Sequence, residues 1–437
     1  EMLKFRQTEA NKCILVKLNN MDHINDLEKF CQYYVNIVNT FPYCTENNTV
    51  NLYLNIIVQN LMNFIHNYSQ CSMIVSDQMI ALYNVLKITD LDLRLRFFTA
   101  GEMSYYLSRL FSNIQVIPFG STVNGFGQIG CDLDLLCKTV NINQRSVNVK
   151  KYSDVYIIIK EQKEFLEIIN TIMKLCIPGI TDTKKILDAR VPIIKFSNLN
   201  TNMKCDLSST NPIALQMAEL LHIYGQLDWR IKPLVCTIRK WARHMNLTKE
   251  YPGPWITNFS LTLLIIFYLQ TKDILPSMDT VIESKSKATD PNFNWLVSWE
   301  KSIKRTNHES LSDLLFDFFQ YYSIFDFKTQ TICIKDGKFK SKTDFSPLYI
   351  HNPFDTTLNV SKNVSLNELT RLVDYFHKAF NIMSNSTERD IILKLFSLGS
   401  ETTNDFDNKK TQLELEKKLP IVTNINGLEK IQRNMIK

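Results

Sequence analysis

The chain has no C-x2-C pair. Its ten cysteines and seven histidines are scattered over 437 residues, so neither the ligand spacing of a zinc site nor a disulfide framework is visible. Scattered cysteines in a globular chain of this size fit reduced thiols. Long apolar runs are also missing. The longest, Phe259 to Leu269, contains Ser260 and Thr262 and falls well short of the roughly 20 apolar residues a spanning helix needs. It predicts a buried helix, and the chain has no membrane among its expected partners. No internal repeat is seen. No signal or transit peptide stands at the start, EMLKFRQTEAN, which reads as a terminus left by processing or truncation. A strong charge of one sign is absent too: the net charge of +6 permits RNA binding without arguing for it. What is present is enough apolar material for cores, 45% of residues, and a length that predicts two or three domains at about 100–200 residues each.

The most informative stretch is PFGSTVNGFGQIGCDLDLLC, Pro118 to Cys137. A Gly-Ser pair, Gly120-Ser121, is followed, after ten intervening residues, by Asp132-Leu133-Asp134. Cys131 to Leu136 reads as a short buried strand, which places Asp132 and Asp134 on one face and Leu133 and Leu135 on the other. Two neighbouring carboxylates are costly unless a cation lies between them, and hard oxygen donors select Mg²⁺ or Mn²⁺. Upstream, Gln115 to Phe119 reads as an apolar strand ending at Gly120-Ser121, where free backbone N–H groups and a hydroxyl suit phosphate oxygens. Triphosphate beside paired carboxylates and metal means nucleotidyl transfer. The same stretch holds Gly125-Phe126-Gly127-Gln128-Ile129-Gly130, literally G-x-G-x-x-G. That fingerprint needs a strand before it and a helix after it; a strand-like CDLDLL follows instead, so a dinucleotide or kinase loop is disfavoured.

A third carboxylate is expected on a neighbouring strand. Val191 to Asn198 reads as a strand, Leu199 to Asn202 as a turn, and Met203 to Leu207 as the returning strand, with Asp206 on it. Taken alone Asp206 would be an ordinary strand-end Asp; beside the first motif it becomes the third acidic ligand.

Along the rest of the chain, Lys12 to Leu18, Ile37 to Tyr43 and Val50 to Val58 read as strands and His23 to Val35 as a helix. This β-α-β-β order suggests a ferredoxin-like, RRM-like module ending near residue 75. Its strands carry few stacking aromatics, only Tyr53 on VNLYLNIIV, so packing or dimerisation is favoured over RNA binding. Leu91 to Phe111 reads as a long helix and Phe165 to Leu175 as an amphipathic one. Lys138 to Asp154 reads as a polar loop. Residues 211–270 read as helical, Asp279 to Asp290 as irregular before more helix, and Glu388 to Leu398 as a last helix after the pattern weakens at Asn381. Thr402 to Lys418 is a polar, charged tail.

GS-x10-DLD with a later Asp resembles the DNA polymerase β-like nucleotidyltransferases. The stretch running through DLSSTNPIAL, LVCTIRKWARHMNL and WITNFSLTLLIIFYLQ, with PLYIHNPFDTTLN at Pro347 to Asn359, resembles their noncanonical poly(A)/poly(U) polymerase branch, most of all its mitochondrial members. The likeness covers roughly Leu93 to Phe380, with several motifs in the right order. It implies an α+β fold: a nucleotidyltransferase palm over 90–210, a helical PAP-associated central domain with a nucleotide-recognition loop over 211–400, and a polar tail over 401–437, behind the RRM-like module over 1–75. It further implies a homodimer through that module and a mitochondrial location.

For the site, the resemblance implies that Asp132, Asp134 and Asp206 are catalytic and hold two Mg²⁺ or Mn²⁺ ions. Phe119, Gly120 and Ser121 would lie on the nucleotide. Asn211 stands where the branch uses an Asn on the ribose hydroxyls, though it is equally suited to cap the helix starting at Pro212. Arg239 and Arg243 share a helix face at i,i+4 and stand where relatives commonly use phosphate-binding lysines; as an isolated pair they would be only a solvated basic face. Phe259 stands where an aromatic, usually Tyr, stacks on the base, and is otherwise a core Phe. Asn352-Pro353-Phe354-Asp355 departs from the usual D-P-F-[ED]. Uridylyl-transferring relatives carry His where this chain has Leu358, and an apolar residue cannot donate to a uracil carbonyl. Asn258 and the backbone near Asn352 are the candidates for the adenine edge. The implied reaction is template-independent addition of AMP from ATP to RNA 3′ ends, with terminal uridylyl transfer, small-molecule nucleotidyl transfer and a non-catalytic RNA-binding relative as alternatives.

Overall fold

The computed structural model describes residues 74–111, 114–139, 152–189, 191–209, 212–287, 307–386 and 391–397. The expected RRM-like module up to residue 73, the centre of the polar loop after Lys138, Asn211 and the tail from Thr402 lie outside the described residues.

Two helices lead in: α1, Val75–Leu86, and α2, Asp90–Ser108. Helix α2 starts where Thr89 and Asp92 form a reciprocal capping box, which satisfies two otherwise orphaned N–H groups. A mixed five-stranded sheet follows, with β1 at Ile114–Pro118, β2 at Leu133–Thr139, β3 at Ile180–Ile186, β4 at Ile193–Asn198 and β5 at Met203–Ser208. The strand order is β1-β2-β5-β4-β3. Only β2 and β5 run parallel; the other neighbours are antiparallel. A four-residue helix, α3 at Ser121–Asn124, sits between β1 and β2, and α4, Tyr152–Cys176, between β2 and β3.

Period-two alternation decides which face of this sheet carries chemistry. Leu133, Leu135 and Cys137 on β2, Ile194 and Phe196 on β4, and Cys205 and Leu207 on β5 are buried. They form one core with Met103 and Leu107 of α2 and Leu166, Ile169 and Met173 of α4. The intervening residues, Asp134, Lys195 and Asp206, are thereby turned to the opposite face.

The second half is helical around a larger core. It contains α5 at Pro212–Leu227, α6 at Ile231–His244, α7 at Asn258–Thr271, α8 at Met278–Lys287, α9 at Leu311–Ile324, α10 at Leu366–Asn385 and α11 at Ile391–Ser397. Helix α7 is buried on all sides from Ser260 to Gln270, as an all-apolar helix must be. No described helix is long and apolar enough to cross a membrane.

Several sequence expectations need correction. Strand β2 starts at Leu133, so Asp132 immediately precedes it rather than lying within it. The polar segment Lys138 to Asp154 begins as the end of β2 and finishes inside α4. Asp279 to Asp290 is not irregular at its start: α8 covers it to Lys287, because the Ser277 hydroxyl accepts from the Thr280 N–H at 3.2 Å and Met278 and Val281 are buried. Helix α10 runs on to Asn385, past the expected weakening at Asn381. A hairpin of β6, Gln330–Cys333, and β7, Lys338–Ser341, lies where more helix was expected. Its turn uses Asp336-Gly337, with Gly337 at φ +68°, a hairpin signal present in the sequence. A second hairpin joins β8, His351–Asn352, to β9, Asp355–Asn359.

Candidate active site

The chain brings the three acidic residues together by register. Asp134 on β2 lies opposite Asp206 on β5, and Asp206 lies opposite Lys195 on β4. The Lys195 ammonium donates to both Asp206 carboxylate oxygens, at 2.9 and 2.7 Å, and stands 3.8 Å from Asp132. Asp132 is held from behind by Arg96, a buried guanidinium on α2. Arg96 donates to the carbonyls of Cys131 and Asp132 at 2.5 and 3.2 Å and to the Thr122 hydroxyl at 3.1 Å. It therefore ties the first acidic residue to the short helix after Gly120.

Gly120 backs the site. It has φ +62°, and a Cβ there would come within 2.4 Å of the Asp134 carboxylate. Only glycine fits, because both the backbone conformation and the close approach exclude a side chain. The preceding N–H, of Phe119, donates to the Asp134 carbonyl at 3.0 Å. Ser121 opens α3 with its hydroxyl 3.4 Å from the Cys131 thiol.

The electrostatics show a cluster short of positive charge. Burial, then the Asp206 and Asp132 charges, push the Asp134 carboxyl up to about 7. Burial and Asp206 raise Asp132 as well. Burial pulls the Lys195 ammonium down, but its hydrogen bond to Asp206 and the three nearby carboxylates outweigh it and leave Lys195 above its usual value. Among the described residues no group of three or more His, Cys, Asp and Glu is already converged on a metal position; Lys195 lies among the aspartates instead. The donor set nonetheless fits a hard divalent cation: it is all oxygen, it carries more negative charge than one lysine balances, and Gly120 leaves it close-packed on one side.

The G-x-G-x-x-G loop is not a phosphate loop. It is clamped to the end of α1, where Ile129 N–H donates to Leu86 O at 2.9 Å and Ile88 N–H to Gly127 O at 3.4 Å. Its Phe126 carbonyl accepts from Arg239 at 2.9 Å. Arg239 is therefore spent in part on fastening α6 to this loop, and its Nε is buried without a partner. Arg243, one turn on, ion-pairs with Glu250 and donates to the Thr248 carbonyl at 3.3 Å. The expected pair of arginines thus divides: one is half-buried against the glycine loop, the other half-exposed and held by an acidic partner.

On the helical side, Thr257 caps α7, leaving Asn258 exposed and Phe259 half-buried against the large core. The Ser260 hydroxyl donates to the Val360 carbonyl at 3.3 Å. Asn363 donates to the Gly253 and Trp255 carbonyls at 2.7 and 2.8 Å. These bonds hold the segment carrying Phe259 against the end of the second hairpin. In that hairpin Asn352 is spent on its own turn, accepting from Phe354 and Asp355 N–H at 3.0 and 3.3 Å. Leu358 is half-buried on β9. His351 uses both ring nitrogens: Nδ1 bonds the Thr356 carbonyl at 2.8 Å and Nε2 the Thr331 hydroxyl at 2.9 Å. The carbonyl makes Nδ1 the donor, so Nε2 accepts.

Residues 75–226 match the family model of the poly(A) RNA polymerase, mitochondrial-like, central palm domain, and residues 310–358 match that of the Cid1 family poly A polymerases. The chain is 36% identical over 334 residues to the human "Poly(A) RNA polymerase, mitochondrial", covering 73% of this chain and 57% of that protein. The Drosophila melanogaster protein of the same name is 36% identical over 319 residues, covering 68% and 52%. The structure of mtPAP in complex with ATPγS superposes with a TM-score of 0.68 at 32% identity, covering 87% of this chain and 80% of that one. The chain belongs to the mitochondrial poly(A) RNA polymerase family. It spans a little over half the length of the curated relatives named here. A cytoplasmic RNA terminal U-transferase shares the fold, with a TM-score of 0.56 at 21% identity.

Within this family fold, four site neighbours escaped the sequence reading. Lys195 lies inside VPIIKFSN, where the strand period sets it on the face opposite Ile194 and Phe196, but only the β4–β5 register places it across from Asp206. Arg96 sits in an otherwise apolar helix stretch, LRFFTA, the signal of a buried cation with an internal role. Glu250 and His351 carry no local pattern that would have found them.

Proposed function

We propose that this chain is a polynucleotide adenylyltransferase that extends RNA 3′ ends from ATP without a template. The RNA 3′ oxygen bonds to the α-phosphorus of ATP, the bond to the β-phosphate oxygen breaks, pyrophosphate leaves, and the hydroxyl proton passes to solvent. The observation that carries this reading is the register pairing of Asp134 with Asp206 beside the close approach of Gly120, with Asp132 held at the strand entrance. Asp132, Asp134 and Asp206 would hold two Mg²⁺ or Mn²⁺ ions. When bound, such ions lower the pKa of the attacking hydroxyl and neutralise charge at the α-phosphate and the leaving group.

The chain's own groups position the substrates. The backbone at Phe119 and Gly120 and the Ser121 hydroxyl face the triphosphate, and Arg243, freed from Glu250, adds a bidentate cation. Arg239 acts mainly by holding α6 to the glycine loop. Asn211 serves the ribose, and Phe259 gives the base a stacking face. Most of the acceleration is positioning and charge stabilisation, with no protein nucleophile.

Uridylyl transfer is the second reading. Structures of mtPAP with UTP, GTP and CTP exist beside the ATPγS complex, so nucleotide binding in that relative extends to every base. Two features favour adenine as the donor base here: Leu358 offers no polar group, and the His351 nitrogens are already occupied. By its family the chain works on mitochondrial RNA, and residues 1–75 pair two copies into a homodimer. The test incubates a labelled oligoribonucleotide with Mg²⁺ and each nucleotide separately. Extension with ATP well above UTP, and none by Asp134→Ala, is expected; equal use of UTP or activity of the variant within tenfold of wild type overturns the reading.

A further inference from the structure

Lys195 holds a position that a divalent cation would contest. It faces Asp206 directly across the β4–β5 ladder. Its ammonium is bidentate on Asp206, the less exposed of its two partners at 20% of side-chain area, and it reaches toward Asp132 at 3.8 Å. Among the described residues, Lys195 is the side-chain cation that bonds directly to the acidic group. Arg96, a second nearby cation beside the more distant Lys204, commits its terminal nitrogens to Cys131 O, Asp132 O and the Thr122 hydroxyl and is buried, so it stays in place. Lys195 differs in both respects. Its side chain is 42% exposed, and it is a point charge on a flexible stem with several rotamers open to it.

We propose that Lys195 is a built-in counter-ion: it neutralises Asp206 and Asp132 in the metal-free protein and is displaced from them when a divalent cation binds, so that the site exchanges one cation for another. This rests on the metal-binding reading above. Two consequences follow with opposite signs. Without Lys195 the three carboxylates repel one another with nothing between them, so the metal-free protein is less stable. Without Lys195 the entering ion meets no competitor and a more negative site, so it binds more tightly. A lysine that merely braced the strands would lower stability and metal affinity together.

The experiment compares wild type, Lys195→Met and Lys195→Arg by calorimetric Mn²⁺ titration and by thermal unfolding in chelator. Lys195→Met is expected to bind Mn²⁺ roughly tenfold or more tightly, the scale of one charge contact at this depth, and to melt several degrees lower in chelator. It is expected to regain most of that loss on Mn²⁺ addition. Lys195→Arg keeps the charge and is expected to stay near wild type in chelator, which separates charge from packing. Unchanged or weaker Mn²⁺ binding by Lys195→Met, with wild type binding normally, overturns the counter-ion alone. Wild type that binds no Mn²⁺, or binds it equally well as Asp134→Asn, overturns the metal-site reading and the exchange with it.

Discussion

Replacing Asp134 by asparagine tests the electrostatics of the site without relying on turnover. Asp134 is the carboxylate most disfavoured in its charged form: burial first, then Asp206 and Asp132, raise it from 3.8 to about 7. A carboxyl with a higher pKa folded than unfolded binds its proton longer in the folded state. Stability linked to it is therefore intact below about pH 4, is lost as pH rises toward 7, and is level above that. A shift of about three units corresponds to about 4 kcal/mol at full ionisation. Asn has the same shape, fits beside Gly120 equally well and carries no charge. In chelator at pH 8, Asp134→Asn should therefore unfold later than wild type, by up to about 4 kcal/mol, while extending RNA at least a thousandfold more slowly. At pH 4.5 the gap should shrink to about 1 kcal/mol. Mg²⁺ or Mn²⁺ should raise the wild-type melting temperature at pH 8 and leave Asp134→Asn nearly unmoved. A wild-type melting temperature in chelator that does not fall, relative to the variant, between pH 4.5 and 8 would refute the reasoning, because it would mean that the carboxylate is already compensated within the chain.

Arg96→Met should cost about 1–2 kcal/mol in denaturant unfolding, because two partly buried carbonyls lose their donor, and should lower kcat more than the KM for ATP by loosening Asp132. Glu250→Gln removes the partner of Arg243 and should lower the KM for ATP several-fold, with the effect shrinking at high salt; an unchanged KM would mean that Arg243 does not meet the triphosphate. Leu358→His should raise UTP use relative to ATP roughly tenfold, the worth of one polar contact of about 1.4 kcal/mol, while Phe259→Ala should weaken both alike; a fixed ratio in the first variant counts against base selection at this position. Removing residues 1–75 should bring the mass measured by light scattering at micromolar concentration down to that of one shortened chain, and a full chain that already runs as a monomer excludes dimerisation through that module.

The parts of this site that were legible in the sequence are those whose chemistry conflicts with their surroundings. Aspartates on apolar strands are expensive unless they do something, so DLD and the later CDL stand out, and the period of two then assigns them a face. The buried α7 was legible for the converse reason, since an uninterrupted apolar run can only be interior. Interactions that depend on folding partners left no such mark. Lys195 looks like an ordinary strand lysine until β4 is laid beside β5 in register. Arg239 and Arg243 share a helix face by spacing, yet the glycine loop claims one and Glu250 the other, and neither partner is near in sequence. Composition also misled in one direction: Ser, Lys and Asp in 279–287 suggested irregular chain, while a single capping hydroxyl at Ser277 and two buried anchors were enough to make a helix. Local chemistry therefore identified which residues must be compensated, and the ladder register determined by what. The same logic separates the two cations beside the carboxylates. Arg96 was built in, with its terminal nitrogens committed to two carbonyls and the Thr122 hydroxyl, and can only hold the site's shape. Lys195 is committed to the carboxylates themselves, so whatever else binds them must first displace it.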